Sequence, residues 1–286
     1  MKEGQGSRTA ERVAARRAAH QLLDDPLVFD DPFAFRVLDP EVAARVRADP
    51  HAYDSSRAAA YLRIALAVRS RYAEDELREA VLRGCAQYVV LGAGFDTFAL
   101  RNPYARLRVF EVDHPDTQNA KRQRLADAAI SPAVDTVYVP VDFAKTTLER
   151  ELAAAGFDRG APAFFSWLGV VPYLEPEAIA HTLRFIAMQN AETTVVFDYG
   201  TPPHELSLVG RLVFDAMAAR VAAAGEPWKS FFAPAELRAL LHDAGFTQIE
   251  DLGPAELNAR YLDQRRDGLR VGEMMHLAKA SVVASP

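Results

Sequence analysis

The chain has 286 residues, half of them hydrophobic, a quarter charged and 9% aromatic, which excludes fibrous, collagenous and wholly disordered classes and suits one α/β domain with helical additions. Lys and Arg number 33 against 39 Asp and Glu, and the resulting charge of -6 lacks the electrostatic footprint of a nucleic-acid binder. The single cysteine, Cys85, builds neither an intrachain disulfide nor a multi-cysteine zinc site, and a reducing cytoplasm fits. The uncharged stretch 161–174 falls short of the roughly 18 or more apolar residues of a membrane span. No apolar segment follows the basic first twenty residues, so neither a secretory signal nor a membrane partner is expected.

From about residue 9 to 83 the pattern is helical, punctuated at Asp24-Asp25-Pro26 and Asp30-Asp31-Pro32, with Asp54-Ser55-Ser56 placed to cap a long helix. Residues 1–83 are expected as an N-terminal helical cap and 84–286 as an α/β core. Apolar runs at 88–91, 107–112, 136–139, 163–166 and 194–197 read as strands, with helices between them at 116–128, 145–155 and 175–189. Helices near 206–224 and 234–244 and strands at 247–252 and 274–283 bring the strand count to seven. Such alternation predicts a doubly wound, Rossmann-like, mostly parallel sheet that binds its ligand beyond the carboxyl ends of the strands.

The first of these strands ends in Leu91-Gly92-Ala93-Gly94-Phe95-Asp96, where missing Cβ atoms let a ligand approach the backbone. The second ends in Phe110-Glu111-Val112-Asp113, about 20 residues on, the offset at which an acidic side chain takes the ribose hydroxyls of a nucleotide. Glu111 shares the face of Asp113, but Asp113 stands at the strand end. A dinucleotide loop needs a third glycine where Thr97 stands, which weakens an NAD(P)-dependent oxidoreductase as the alternative. A nucleoside with a carboxylate and no phosphate suits the loop better, and Arg69 offers the cation, although an ordinary exposed helix arginine is the other reading of that residue.

Arg69-x-Arg71-Tyr72, Leu91-Gly92-Ala93-Gly94-Phe95-Asp96-Thr97 and Phe110-Glu111-Val112-Asp113-His114-Pro115 together resemble the leucine carboxyl methyltransferase superfamily, whose bacterial branch includes polyketide O-methyltransferases. The resemblance implies a class I methyltransferase fold of seven strands with an N-terminal helical lid, and S-adenosyl-L-methionine as methyl donor. It puts Arg69 on the methionine carboxylate, Gly92, Ala93 and Gly94 beneath the cofactor and Asp113 on the ribose; His114, beside Asp113, is expected near the adenosine. The resemblance also puts Asp142 and the Phe143 backbone at the adenine amino group, with a helix N-cap before Lys145 as the lesser alternative for Asp142. In Phe165-Ser166-Trp167-Leu168-Gly169 the sequence departs from the family, which often has an acidic residue at Leu168, and Ser166 or Trp167 is left to supply that contact.

The acceptor is expected to be a carboxylate or hydroxyl of a small secondary metabolite. A carboxylate is already ionised at neutral pH, whereas a phenol of pKa about 10 benefits from a general base. His204 and Tyr199, in the segment after the fifth strand, are the candidates for that role, and the scarcity of committed bases favours a carboxylate. A non-catalytic S-adenosylmethionine-binding regulator is the second alternative, and a homo-oligomer is left open.

Overall fold

Valine, leucine and aromatic runs that bury both faces make the centre of the sheet, and everything else in the fold covers or continues them. A computed structural model describes residues 8–132, 135–143, 145–190, 192–223 and 225–283. Helices α1 (Arg8–Leu23), α2 (Pro40–Ala48) and α3 (Arg57–Leu82) come first, then β1 (Gln87–Leu91), α4 (Phe98–Arg101), β2 (Arg108–Asp113), α5 (Pro115–Asp127) and β3 (Thr136–Pro140). Helix α6 (Leu148–Ala154), β4 (Ala163–Trp167), α7 (Pro176–Ala187) and β5 (Thr194–Gly200) continue the alternation. The chain ends with α8 (Leu208–Ala223), α9 (Pro234–Ala244), β6 (Gln248–Leu252), α10 (Pro254–Tyr261) and β7 (Met275–Ser281).

The strands form one sheet in the order β3-β2-β1-β4-β5-β7-β6. Pairings from β3 through β5 are parallel, and β7 runs antiparallel between β5 and β6. The order reverses between β1 and β4, so a crevice opens there beyond the strand ends. Along β1 the side chains alternate: Val89 and Leu91 pack with α7 residues Ile179 and Leu183, while Tyr88 and Val90 pack with α3 residues Ile64 and Val68. Two apolar layers therefore sandwich the sheet. Among the described residues no helix is long and apolar enough to cross a membrane.

Within the segment expected as a cap, of which residues 1–7 lie outside the described residues, the helices join two different apolar clusters. Helix α3 lies on the sheet as part of its own core, its start fixed where Ser56 Oγ accepts the N–H of Ala59 at 3.2 Å. Asp54, in the same capping cluster, instead accepts from Arg63 Nε at 2.8 Å. Helices α1 and α2 form a third apolar cluster with Phe95 of the loop after β1, Leu100 of α4 and Leu125 of α5. Helix α10 was not foreseen in the sequence, since it is short and Leu257 is its only buried residue.

A buried charge cluster locks this N-terminal layer to the far end of the chain. Asp24 pairs with Arg63 of α3, and its Oδ1 accepts from Arg265 at 2.6 Å. His20, fully buried, contacts Asp24 Oδ2 at 2.6 Å through Nδ1, and its Nε2 accepts the N–H of Phe29 at 3.2 Å. An Nε2 that accepts must carry no proton, so the ring is neutral. Burial first, then Arg63 and Arg265, hold its pKa down at about 3. The unfolded ring takes a proton below about 6.5 while the folded one takes none until about 3, so stability falls as pH drops through that window. In urea titrations at pH 7.5 and pH 5, wild type is expected to lose roughly 2 kcal/mol more than His20→Gln on acidification. Equal losses in the two proteins would refute the buried neutral ring.

Candidate functional site

The crevice at the sheet's switch point is a cavity of about 870 Å3, toward the upper end of the roughly 300–1,000 Å3 typical of small-molecule sites. Its floor is the loop after β1. Gly92 and Gly94 both hold positive φ, at +68° and +50°, a region where a Cβ is costly. The β1–β2 ladder runs on into this loop, because Gly92 N–H and Ala93 N–H both donate to Val112 O, at 2.8 and 3.0 Å. Asp96 Oδ1 accepts from Phe98 N–H at 2.8 Å and starts α4. Thr97 is fully buried, and its hydroxyl donates to Asp31 Oδ2 at 2.7 Å, so the position of the missing third glycine ties the loop to the N-terminal layer.

Asp113, the last residue of β2, closes the loop from the side. Its Oδ2 accepts the N–H of Gly94 at 2.5 Å and its Oδ1 accepts that of His114 at 2.6 Å. Burial pushes this carboxyl above the usual range, against the pull of the two donors. A carboxylate has about four acceptor sites, so two remain for hydroxyls in the cavity that Asp113 lines. Its neighbour Glu111 is spent elsewhere, in a fully buried pair with Lys121 at 2.6 Å.

Every residue expected at the cofactor lines this one cavity: Arg69, Gly92, Ala93, Gly94, Asp113, His114, Asp142, Phe143 and Ser166. Arg69 of α3 donates from Nη1 to Asp198 Oδ2 at 3.0 Å and is largely buried, which removes the reading of an ordinary exposed helix arginine. His114 Nδ1 accepts the N–H of Asp116 at 3.3 Å and caps α5. Asp142 pairs with Lys145 Nζ at 2.8 Å, and Thr147, not Asp142, caps α6. Phe143 presents an exposed ring along the wall, while Ser166 is buried and shares a 2.8 Å hydrogen bond with the Tyr88 hydroxyl.

The structure does not bring Tyr199 or His204 to the cavity. Strand β5 runs on to Gly200 because β7 pairs with it as far as Met275, so Tyr199 is a ladder residue opposite His276 and not part of a loop. Its hydroxyl donates to Asp251 of β6 at 2.7 Å, and burial beside that carboxylate pushes its pKa up. His204 sits exposed in a short 3-10 turn, also outside the cavity lining. The helical lid that the resemblance implies has a counterpart in α1, and the residues the sequence did not single out there are Thr9, Ala10, Val13 and Arg17, which line the cavity. Arg17 pairs with Asp31 at 3.0 Å and donates to Phe95 O, laying α1 over the glycine loop. Asp198 was detectable, since an acid inside Thr194-Val195-Val196-Phe197-Asp198 must find a partner.

A Cβ at Gly92 would fall 2.4 Å from Val170 Cγ2, in addition to the roughly 1–2 kcal/mol of a left-handed alanine. Gly92→Ala is therefore expected to destabilise the fold, and Gly92→Ala with Val170→Ala to cost at least about 1 kcal/mol less than the sum of the singles. Strict additivity in chemical denaturation would show that the two residues are not in contact.

Comparison with known proteins places the chain as a whole. The family described as leucine carboxyl methyltransferase matches residues 10–187. A Bacillus subtilis (strain 168) protein named "Putative S-adenosyl-L-methionine-dependent methyltransferase YktD" is 32% identical over 302 residues, spanning 98% of this chain and 99% of its own. A Mycolicibacterium smegmatis protein whose printed name begins in the same words is 31% identical over 263 residues, spanning 89% and 81%. In fold, the chain resembles a duf574 family protein from Streptomyces avermitilis, with a TM-score of 0.60 at 16% identity over 98% and 99% of the two chains. The chain belongs to the leucine carboxyl methyltransferase family and is a methyltransferase that uses S-adenosylmethionine.

Proposed function

We propose that the chain methylates a carboxylate oxygen of a small metabolite, with S-adenosylmethionine seated on the glycine loop. The residues present suit that cofactor: two glycines at positive φ, a carboxylate with free acceptor capacity at the end of β2, and a largely buried guanidinium in the same cavity lining. In this reading Asp113 takes the ribose hydroxyls, Arg69 the methionine carboxylate, and Asp142 with the Phe143 backbone the adenine edge. When bound, the cofactor supplies a methyl group on a sulfonium, open to displacement in line by an oxygen nucleophile. The chain's own part is to align that nucleophile and keep water out, which the α1 wall and the loop at Gly225–Lys229 serve by lining the cavity.

The observation that carries the choice of acceptor is the position of Tyr199 and His204. Both hydroxyl-activating candidates lie outside the cavity, and of the histidines that line it, His114 has its Nδ1 committed to the α5 cap while His181 is exposed on α7. An acceptor that is ionised already needs no base. Lys229, which lines the cavity and pairs with Glu175 at 2.9 Å, adds positive charge along its wall. The carboxyl acceptor in the family's name points the same way.

The test is the product. A methyl ester releases methanol in mild alkali, and kcat is expected to stay nearly flat from about pH 6 to 8 where chemistry limits it, because no group titrates to activate the nucleophile. A base-stable methyl ether, with a rate that climbs with pH, would replace the carboxylate by a hydroxyl.

A further inference from the structure

Arg69 and Asp198 meet with their side chains only 12% and 9% exposed. The second oxygen of Asp198 accepts the N–H of Gly169, the second residue after β4. Gly169 has φ +72°, and a Cβ there would stand 2.7, 2.8 and 3.0 Å from three guanidinium atoms of Arg69. One carboxylate therefore grips a side chain from α3 and a backbone from the β4 loop and presses the first against the second. Arg69 and Gly169 line the cavity, whereas Asp198 is not among the lining residues. A buried pair of this kind adds little net stability, because desolvation offsets its attraction. What it does supply is a fixed geometry, and a guanidinium has five donors, so several are left for a second partner.

We propose that Asp198 is a positioning residue: it holds the Arg69 guanidinium against Gly169 so that the remaining donors face the cofactor's amino-acid carboxylate. The inference rests on the reading that Arg69 receives that carboxylate. The electrostatic alternative has the opposite sign, since an Asp198 that merely neutralised Arg69 would weaken its hold on an anion, and its removal would strengthen binding.

Isothermal titration of the full chain with S-adenosylhomocysteine and with 5′-methylthioadenosine, which keeps the nucleoside but lacks the amino-acid carboxylate, separates these cases. Wild type is expected to prefer S-adenosylhomocysteine. Asp198→Asn should weaken that ligand about tenfold and leave 5′-methylthioadenosine within about twofold, the loss of one well-placed charge-assisted contact. Gly169→Ala displaces the same guanidinium from the other side and should lower the same ratio, which keeps the test open if Asp198→Asn does not fold. A ratio that is unchanged or raised in the folded variants, or equal losses for both ligands, overturns the inference. A wild type that binds both ligands alike takes Arg69 off the amino-acid end, and the underlying reading falls together with the inference.

Discussion

The Asp113 carboxylate is the joint on which the site turns. It ends β2, yet its two oxygens reach the N–H of Gly94 in the loop after β1 and the N–H of His114 at the cap of α5. Two strand ends and a helix start are thereby fixed by one side chain, and the price is the burial of a charge, which pushes its pKa up. The two N–H donors offset that burial, so the carboxylate stays a useful acceptor for hydroxyls. From this joint the rest follows: the loop holds its positive φ angles, α1 lies across it through Arg17, and Thr97 ties it to Asp31.

Another part of the cavity is organised on the same plan by different residues. There Asp198, two residues before the end of β5, grips Arg69 and the Gly169 backbone, again a carboxylate joining elements far apart in sequence. The cavity that Asp113 and Arg69 line has further walls from α1, the β3–α6 loop, α7 and the loop at Gly225–Lys229. The oxidoreductase alternative lacks its third glycine, because that position is occupied by a buried threonine hydrogen-bonded to the N-terminal layer.

The strands were legible in the sequence because buried parallel strands are apolar runs with sharp ends, and the cofactor side was legible because its residues follow those ends directly. Pairing between distant segments was not. The insertion of β7 between β5 and β6 is a long-range event, and it lengthens β5 to Gly200, beyond the end expected at 197. That extension turns Tyr199 toward Asp251 and carries the chain through Thr201, whose N–H donates to Met274 O, on to an exposed His204. The resemblance implied an N-terminal lid, but its contact residues were equally hidden, since an alanine-rich helix carries no mark of which loop it covers. The packing of α3 on the sheet was equally silent in the sequence, because helical periodicity says which face is buried but not against what.

The central claim is that Asp113 serves the loop and the cofactor together. Titration of folded Asp113→Ala with S-adenosylhomocysteine tests it most directly, since the ligand binds without turnover and reports the ribose contact whatever the acceptor is. Loss of charge-assisted hydrogen bonds worth about 1.5–3 kcal/mol predicts affinity roughly ten- to a hundredfold weaker than wild type. Equal affinity in the folded variant would contradict the account.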